Sequence, residues 1–562
     1  MRHQVATVTV VSWVWMLGQG LFLGATPAVA AENEKSDAEV RRPEHIHASG
    51  FHVSPPLRDV EAAPPKTGFV VERELPIRRR VPRQAPQLPA VDTTTQVSHA
   101  PLRVPLPTRS FDGIRNSQNG SINGFLTVPP DPNGDVGPAH YVQTVNNLLQ
   151  VFDKNTGKAL LPSPKPLGGL FASLGGSCAD TFNSSDPVVL YDHLADRWVV
   201  GFAGNVFAGP PFYQCLAVSK TGDPTGSYFL YAFRMPNDWL NDYGKLGVWP
   251  DAYYMTDNQF QGNAFVGVGV FAFDRTKMLA GDATAGFLYV NLGAGASTAN
   301  LFGMLPADLD GPAPPVGTPN YLMVLTAPEF GDASDAVRLF TFHADFSNPN
   351  ASTLSERSES PIPTARFNPN LCNFQISCIP QPRPGPRLDP LSDRLLHRLQ
   401  YRNLGSSEML VVTHTVNVGL GGKNLAGIRY YAAARALSAG TPFGMQQQGT
   451  FAPDANHRWM GSAAIDKQGN LMVGYSVSSS SLFPSIRYAG RAVGDPPGLS
   501  EATLQAGGGV QKSSSHRWGD YTMLSVDPVD SCTFWYTNEY YAVSSNLQWQ
   551  TRIGSVKFPS CQ

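Results

Sequence analysis

Three short phrases, His397-Arg398, His457-Arg458-Trp459 and His516-Arg517-Trp518, recur at almost constant distance in the C-terminal half of the chain. The steps are 60 residues (397 to 457) and 59 residues (457 to 516). The last two copies each run on to an Asp, Asp466 and Asp527, and to an aromatic strand-like segment, Leu471-Met472-Val473-Gly474-Tyr475 and Thr533-Phe534-Trp535-Tyr536. A period of this length holding several short strands is the mark of a propeller blade.

Upstream the same grammar continues. His140-Tyr141-Val142-Gln143-Thr144-Val145 and Leu148-Leu149-Gln150-Val151-Phe152 read as paired strands, and Asp186-Pro187-Val188-Val189-Leu190-Tyr191 turns through Asp196 into Trp198-Val199-Val200. Gln214 to Val218 and Tyr228 to Phe233 complete a four-strand unit. Residues 111–562 are therefore expected to form an all-β fold, a β-propeller of seven blades, or of six with long insertions. A pair of β-sandwiches does not require the sixty-residue recurrence, and a β-helix shows a shorter rung. The segment Thr551 to Phe558, beside Cys561, is expected to close the ring within the blade of Trp535 and Tyr536, or the segment after Phe111 to complete that blade from the other end.

Composition agrees with many turns and few long helices. Of 562 residues 53 are Gly and 48 Pro, and only 15% are charged, against about 25% in an average soluble protein. A net charge of −2 provides no global field toward nucleic acid or an acidic membrane. Met1-Arg2-His3, the largely apolar residues 5–23 and Ala28-Val29-Ala30 make a secretory signal spanning residues 1–30, with no membrane anchor expected after cleavage. Export to the periplasm, cell surface or medium follows. Residues 31–110, rich in Pro and Arg (Arg78, Arg79, Arg80) and without sustained period, read as a disordered linker or pro-segment. Six Cys in an exported chain suggest disulfides, and proximity favours 178–215, 372–378 and 532–561.

Candidate site residues fall into three groups. If the His-Arg phrases stand where inner strands enter the ring, Arg398, Arg458 and Arg517, with His457 and His516, converge on one mouth. Guanidinium forks there suit a carboxylate or sulfate, as on uronic or sialic acids. The structural alternative is that the repeated His, Arg and Trp bond and stack between blades. Glu539-Tyr540, with Asp520, offers base and phenol nucleophile for glycoside cleavage, or ordinary aromatic strand packing. Asp131, Asn133 and Asp135 alternate hard oxygen ligands like the start of a calcium loop, making calcium the one cofactor suggested. Val136 and the missing twelfth-position Glu depart from that loop, and a turn held by Asx hydrogen bonds is the alternative. No Gly-x-Ser-x-Gly or HExxH motif supports a serine hydrolase or zinc protease.

Asp131-Pro132-Asn133-Gly134-Asp135-Val136-Gly137, His457-Arg458-Trp459-Met460-Gly461-Ser462 and Arg517-Trp518-Gly519-Asp520-Tyr521 through Cys532 to Tyr541 resemble a family of exported bacterial propeller-like proteins near the sialidase superfamily. The resemblance spans about residues 125–562 and implies the fold. The sialidase Asp-box and the Phe/Tyr-Arg-Ile-Pro start are both missing. Two functions remain in view: binding of an extracellular carbohydrate or cell-surface partner through one face, or glycan cleavage, by hydrolase or lyase, on an acidic sugar at the channel mouth.

Overall fold

A computed structural model describes residues 39–60, the backbone of 71–74, and residues 92–438 and 440–562. The signal segment 1–30 and the Arg78, Arg79 and Arg80 cluster lie outside the described residues.

The molecule is built mainly from antiparallel sheets of four or five strands, two units being joined into a larger sheet where Leu305–Asp310 pairs in parallel with Leu396–Asn403, and helices are short. The second unit is representative. Ser185–Asp192 pairs with Arg197–Gly204, that strand with Tyr213–Ser219, and that with Tyr228–Arg234. Val188, Leu190, Val199, Leu216, Val218 and Tyr231 interdigitate with the next unit through Leu246, Met255 and Phe271. Both sheet faces are covered, so the strands read as continuous apolar runs rather than as alternation. The first strands of successive units are Asn133–Val136, Ser185–Asp192, Leu240–Val248, Leu305–Asp310, Leu396–Asn403, His457–Ile465 and Met523–Val526. Each lies beside the next, and the last returns to the first.

In the third unit a turn joins the first two strands. Trp249 does not open a strand. Its amide bonds the Ala252 carbonyl at 3.2 Å in a tight turn, and the strands flanking that turn are Leu240–Val248 and Tyr253–Gln261.

Closure uses both ends of the chain. Gln550–Lys557 pairs with Thr533–Tyr540, and Arg109–Arg115 pairs with the free side of Gln550–Lys557. The Gln143 amide ties the first unit to this last sheet, bonding Thr537 Oγ1 at 2.7 Å and Thr551 Oγ1 at 3.0 Å and accepting from the Ile114 amide at 2.7 Å. Disulfides join Cys178 to Cys215, Cys372 to Cys378 and Cys532 to Cys561.

The described parts of the expected disordered linker form a belt. Residues 39–60 run backwards around the ring. Arg41 bridges Leu354, Glu44–His47 adds to Gly286–Asn291, Gly50–Val53 adds to Tyr228–Arg234, and Val60 receives Lys165. Residues 92–115 run forwards. Thr95–Gln96 pairs with Gly444–Phe451, the Val104 amide bonds Ser500 Oγ at 2.7 Å, and Arg109–Arg115 completes the last sheet. Arg429 bonds Asp92 and Thr94 at 2.8 and 2.6 Å. Such short segments show no period of their own because their order comes from outer edges left unpaired by other strands.

Candidate functional site

Inner strands enter the ring through a repeated irregularity. Register slips between Ser185 and Val188, Asp242 and Lys245, Leu396 and Gln400, and Trp459 and Ser462. Asp131, Asp186, Tyr243 and Met460 take φ of 48°, 54°, 60° and 56°, a left-handed backbone that costs a non-glycine residue of order 1–2 kcal/mol. Bulges re-aim side chains. Here groups from five units come together.

The amides of consecutive Gly519 and Asp520 donate to Glu539 Oε1 at 2.8 Å and to Asp131 Oδ1 at 3.0 Å. Two carboxyl groups from opposite ends of the chain thus grip one dipeptide. Arg517 pairs with the third carboxylate, Asp520. Lys245 Nζ stands 3.8 Å from the ring centroids of both Tyr243 and Tyr521 and donates to the Gly244 carbonyl at 3.1 Å. Tyr521 donates to the Pro187 carbonyl at 3.0 Å, beside Asp186, and His397 meets the Tyr521 ring edge-on with centroids 6.0 Å apart. Asp131, Lys245, His397, Arg517 and Glu539 are at most 1% exposed, whereas Asp186, Asp242 and Asp520 are half-buried at the rim. Asp131 Oδ2, Asp520 Oδ1, Glu539 Oε2 and His397 Nε2 are buried with no hydrogen-bond partner.

Burial and mutual repulsion set the protonation. Asp131 is pushed well above the usual carboxylate range by desolvation and by Asp520 and Asp186. Glu539 is raised by desolvation, then by Asp131 and Asp520. Desolvation lowers Lys245 to about 8, against the pull of Asp186, Asp131, Asp520 and Asp242. His397 is held neutral by burial and by the charges of Lys245 and Arg398. Neutral acids, a lysine poised near physiological pH and a neutral imidazole make a site able to give and take protons.

A cap formed by residues 367–395 covers these entry ends. Gln381 exchanges bonds with the Gln511 backbone at 2.8 and 3.1 Å, the Asp389 amide donates to the His516 carbonyl at 2.9 Å, and Ser478 Oγ donates to the Pro380 carbonyl at 2.6 Å. Leu371, Cys378, Ile379, Leu388 and Leu391 pack with Trp459, Met460, Trp518, Tyr541 and Trp549. Beside the cap, Asn368, Asn417 and residues 418–422 line a hollow of about 440 Å³ with Asp92, Thr95 and Val97 of the belt.

Neither a family model nor a curated protein sequence matches the chain. Among solved structures, the N-terminal domain of Nup159 is similar at 9% identity and TM-score 0.34, over 83% of this chain and 100% of that one. Drosophila semaphorin 2a gives 9% and 0.34 over 84% and 77%, and a native Bacillus subtilis arabinanase gives 9% and 0.26 over 64% and 93%. At such scores no residue role or activity passes from them to this chain.

The sequence-derived site residues divide. Asp520 and Glu539 do come together, joined by Asp131 and Arg517. Tyr540 does not join them, because neighbours on a strand project to opposite faces; it packs with Val104 and Tyr536 instead. The three arginines share no cleft. Arg398 is enclosed by Asp308 and Asp310, Arg458 bonds Asp454 at 2.7 Å and Glu501 at 2.8 Å, and Arg517 holds Asp520. The histidines serve the scaffold: His457 Nδ1 accepts from the Ala426 amide at 3.2 Å, and His516 Nδ1 donates to the Arg387 carbonyl at 2.7 Å. Trp459 and Trp518 meet across units with their rings tilted by 52°, centroids 5.9 Å apart. The calcium expectation is replaced by strand zipping. Asn133 Oδ1 accepts from the Val189 amide at 2.8 Å and Asp135 Oδ2 from the Tyr191 amide at 2.7 Å. Among the described residues no group of three or more His, Cys, Asp or Glu could hold a metal ion.

Lys245, Asp186 and His397 were missed as site residues. The available signal was a lone lysine directly before the apolar run Leu246 to Trp249 and the aspartate before Pro187.

Asp135 carries a pH prediction. Burial, opposed by Arg398, raises it from 3.8 to about 7. The folded state therefore holds a proton that the unfolded chain releases above pH ~4, and stability falls as pH rises from about 4 to 7, by up to roughly 4 kcal/mol from this group. Asp135→Asn is expected to shrink the difference in melting temperature between pH 5 and pH 8. An unchanged difference would assign the slope to other groups.

Proposed function

We propose that the chain is an exported, seven-bladed β-propeller that binds an extracellular carbohydrate at the capped end of its axis. The observation that carries the reading is the set of unpartnered oxygens of Asp131, Asp520 and Glu539, brought together from the first and last units beside two tyrosine rings. Buried polar atoms are costly to leave unpaired, and a hydroxyl-bearing ring offers groups that both donate to and accept from the acids and a face for the aromatics. Entry is at the rim, where Asp186, Asp242 and Asp520 keep some exposure. Three disulfides suit an oxidising compartment. In the described residues no helix is long and apolar enough to cross a membrane.

A second reading, glycan cleavage at the same place, is favoured by the protonation pattern. Glu539 or Asp131, held neutral, would donate a proton to a leaving oxygen, and Asp520 would activate water or stabilise positive charge on the sugar. Both readings are tested with the purified mature protein on a glycan array, followed by assay of bound polymers for release of reducing ends. Binding without release supports the first reading, and release abolished by Glu539→Gln supports the second. Absence of both across neutral, amino and acidic glycans would overturn the proposal.

A further inference from the structure

We infer that the axial site selects uncharged sugars, whose hydroxyls both donate and accept hydrogen bonds, or amino sugars, and rejects the acidic sugars that the recurrent arginines suggest. The inference rests on the carbohydrate reading above and narrows its ligand class. Every guanidinium nominated for an anionic ligand is already engaged: Arg398 by Asp308 and Asp310, Arg458 by Asp454 and Glu501, Arg517 by Asp520. The Lys245 ammonium lies between two tyrosine faces and bonds a backbone carbonyl.

The unsatisfied atoms of the acids are three oxygens, Asp131 Oδ2, Asp520 Oδ1 and Glu539 Oε2. Their sister oxygens on Asp131 and Glu539 are fixed by the adjacent amides of Asp520 and Gly519, so the two open oxygens belong to carboxyl groups whose orientations are set before any ligand arrives. An arrangement gripping one dipeptide from both sides suits neighbouring hydroxyls or an ammonium on a single ring. A ligand carboxylate or sulfate would instead add negative charge where neighbouring acids already raise the proton affinity of Asp131 and Glu539. Rejection of the wrong ligand through like charge is an ordinary source of specificity.

The test is calorimetric titration of the full mature chain with four oligosaccharide sets of matched length: neutral pentose and hexose oligomers, chitosan oligomers, oligogalacturonates and sulfated oligomers. Neutral or chitosan oligomers are expected to bind at least about tenfold more tightly than either acidic set, and Asp520→Asn and Glu539→Gln are each expected to weaken that binding about tenfold or more. Asp520, at the rim, provides a variant whose fold is less exposed to risk than the buried Glu539, and thermal melts of both identify any loss due to unfolding. Tighter binding of the galacturonate or sulfated set overturns this inference and leaves the carbohydrate reading standing. Binding of none of the four sets overturns the carbohydrate reading itself.

Discussion

A chain ended at Trp549 is expected to lose the single cooperative melting transition of the full mature ring. The deletion removes a strand with partners on both sides, Thr533–Tyr540 and Arg109–Arg115, so one edge opens and the belt loses its last attachment. Buried Ile553, Val556 and Phe558 go with it, each contributing about 1.5–3 kcal/mol. The Cys532–Cys561 link, spanning 29 residues, stabilises by roughly 3–4 kcal/mol in the chain-entropy model. Gln143 also loses its bond to Thr551. Together these approach the 5–15 kcal/mol typical of a whole domain. Scanning calorimetry of the truncated chain beside a full-length Cys532→Ser/Cys561→Ser control separates strand from disulfide. If the truncated chain melts at the full-length temperature, ring closure is refuted.

Arg398→Met is expected to cost about 3–5 kcal/mol at pH 8, the usual consequence of leaving buried charges without their partner. The guanidinium holds Asp308 and Asp310 and donates through Nε to the Leu524 carbonyl at 3.1 Å, spanning three inner strands. Gln400 shares Asp310 at 2.6 Å and reaches the Ile465 carbonyl at 3.0 Å. Burial already raises Asp308 against the pull of Arg398. Removal of that cation raises it further, so the folded variant takes up a proton as pH falls and its deficit shrinks. Urea unfolding at pH 5 and pH 8 is expected to show the larger loss at pH 8, with Arg398→Met/Asp308→Asn recovering part of it. Equal stability of Arg398→Met and the parent at both values would remove Arg398 from the structural account.

Legibility in the sequence followed the range of the interactions. The sixty-residue recurrence was readable because each unit repeats the same local order, and His397, His457 and His516 mark three successive ring entries. Arg517, Asp520 and Glu539 were readable for the same reason, lying within one unit. Lys245 and Asp186 were not. Their meeting with Asp520 depends on strands some 275 and 334 residues away, and on left-handed bulges at Asp186 and Tyr243 that side-chain pattern does not encode. The belt was hidden because pieces such as Thr95–Gln96 acquire strand geometry only from a partner edge. The arginines misled because a residue can recur for the scaffold's sake, as Arg458 does between Asp454 and Glu501.

The belt also orders events in time. Its first leg needs strands reaching Leu354, its second needs Gly444–Phe451 and then Ser500, and Arg109–Arg115 must wait for Gln550–Lys557. A ribosome makes this segment early, yet its first leg has no complete set of partners until Leu354 has emerged, and its last strand has none until Gln550–Lys557 has. Until then the outer edges it covers stay open to other chains, the circumstance in which nascent β proteins aggregate. Closure of the ring is therefore a late event.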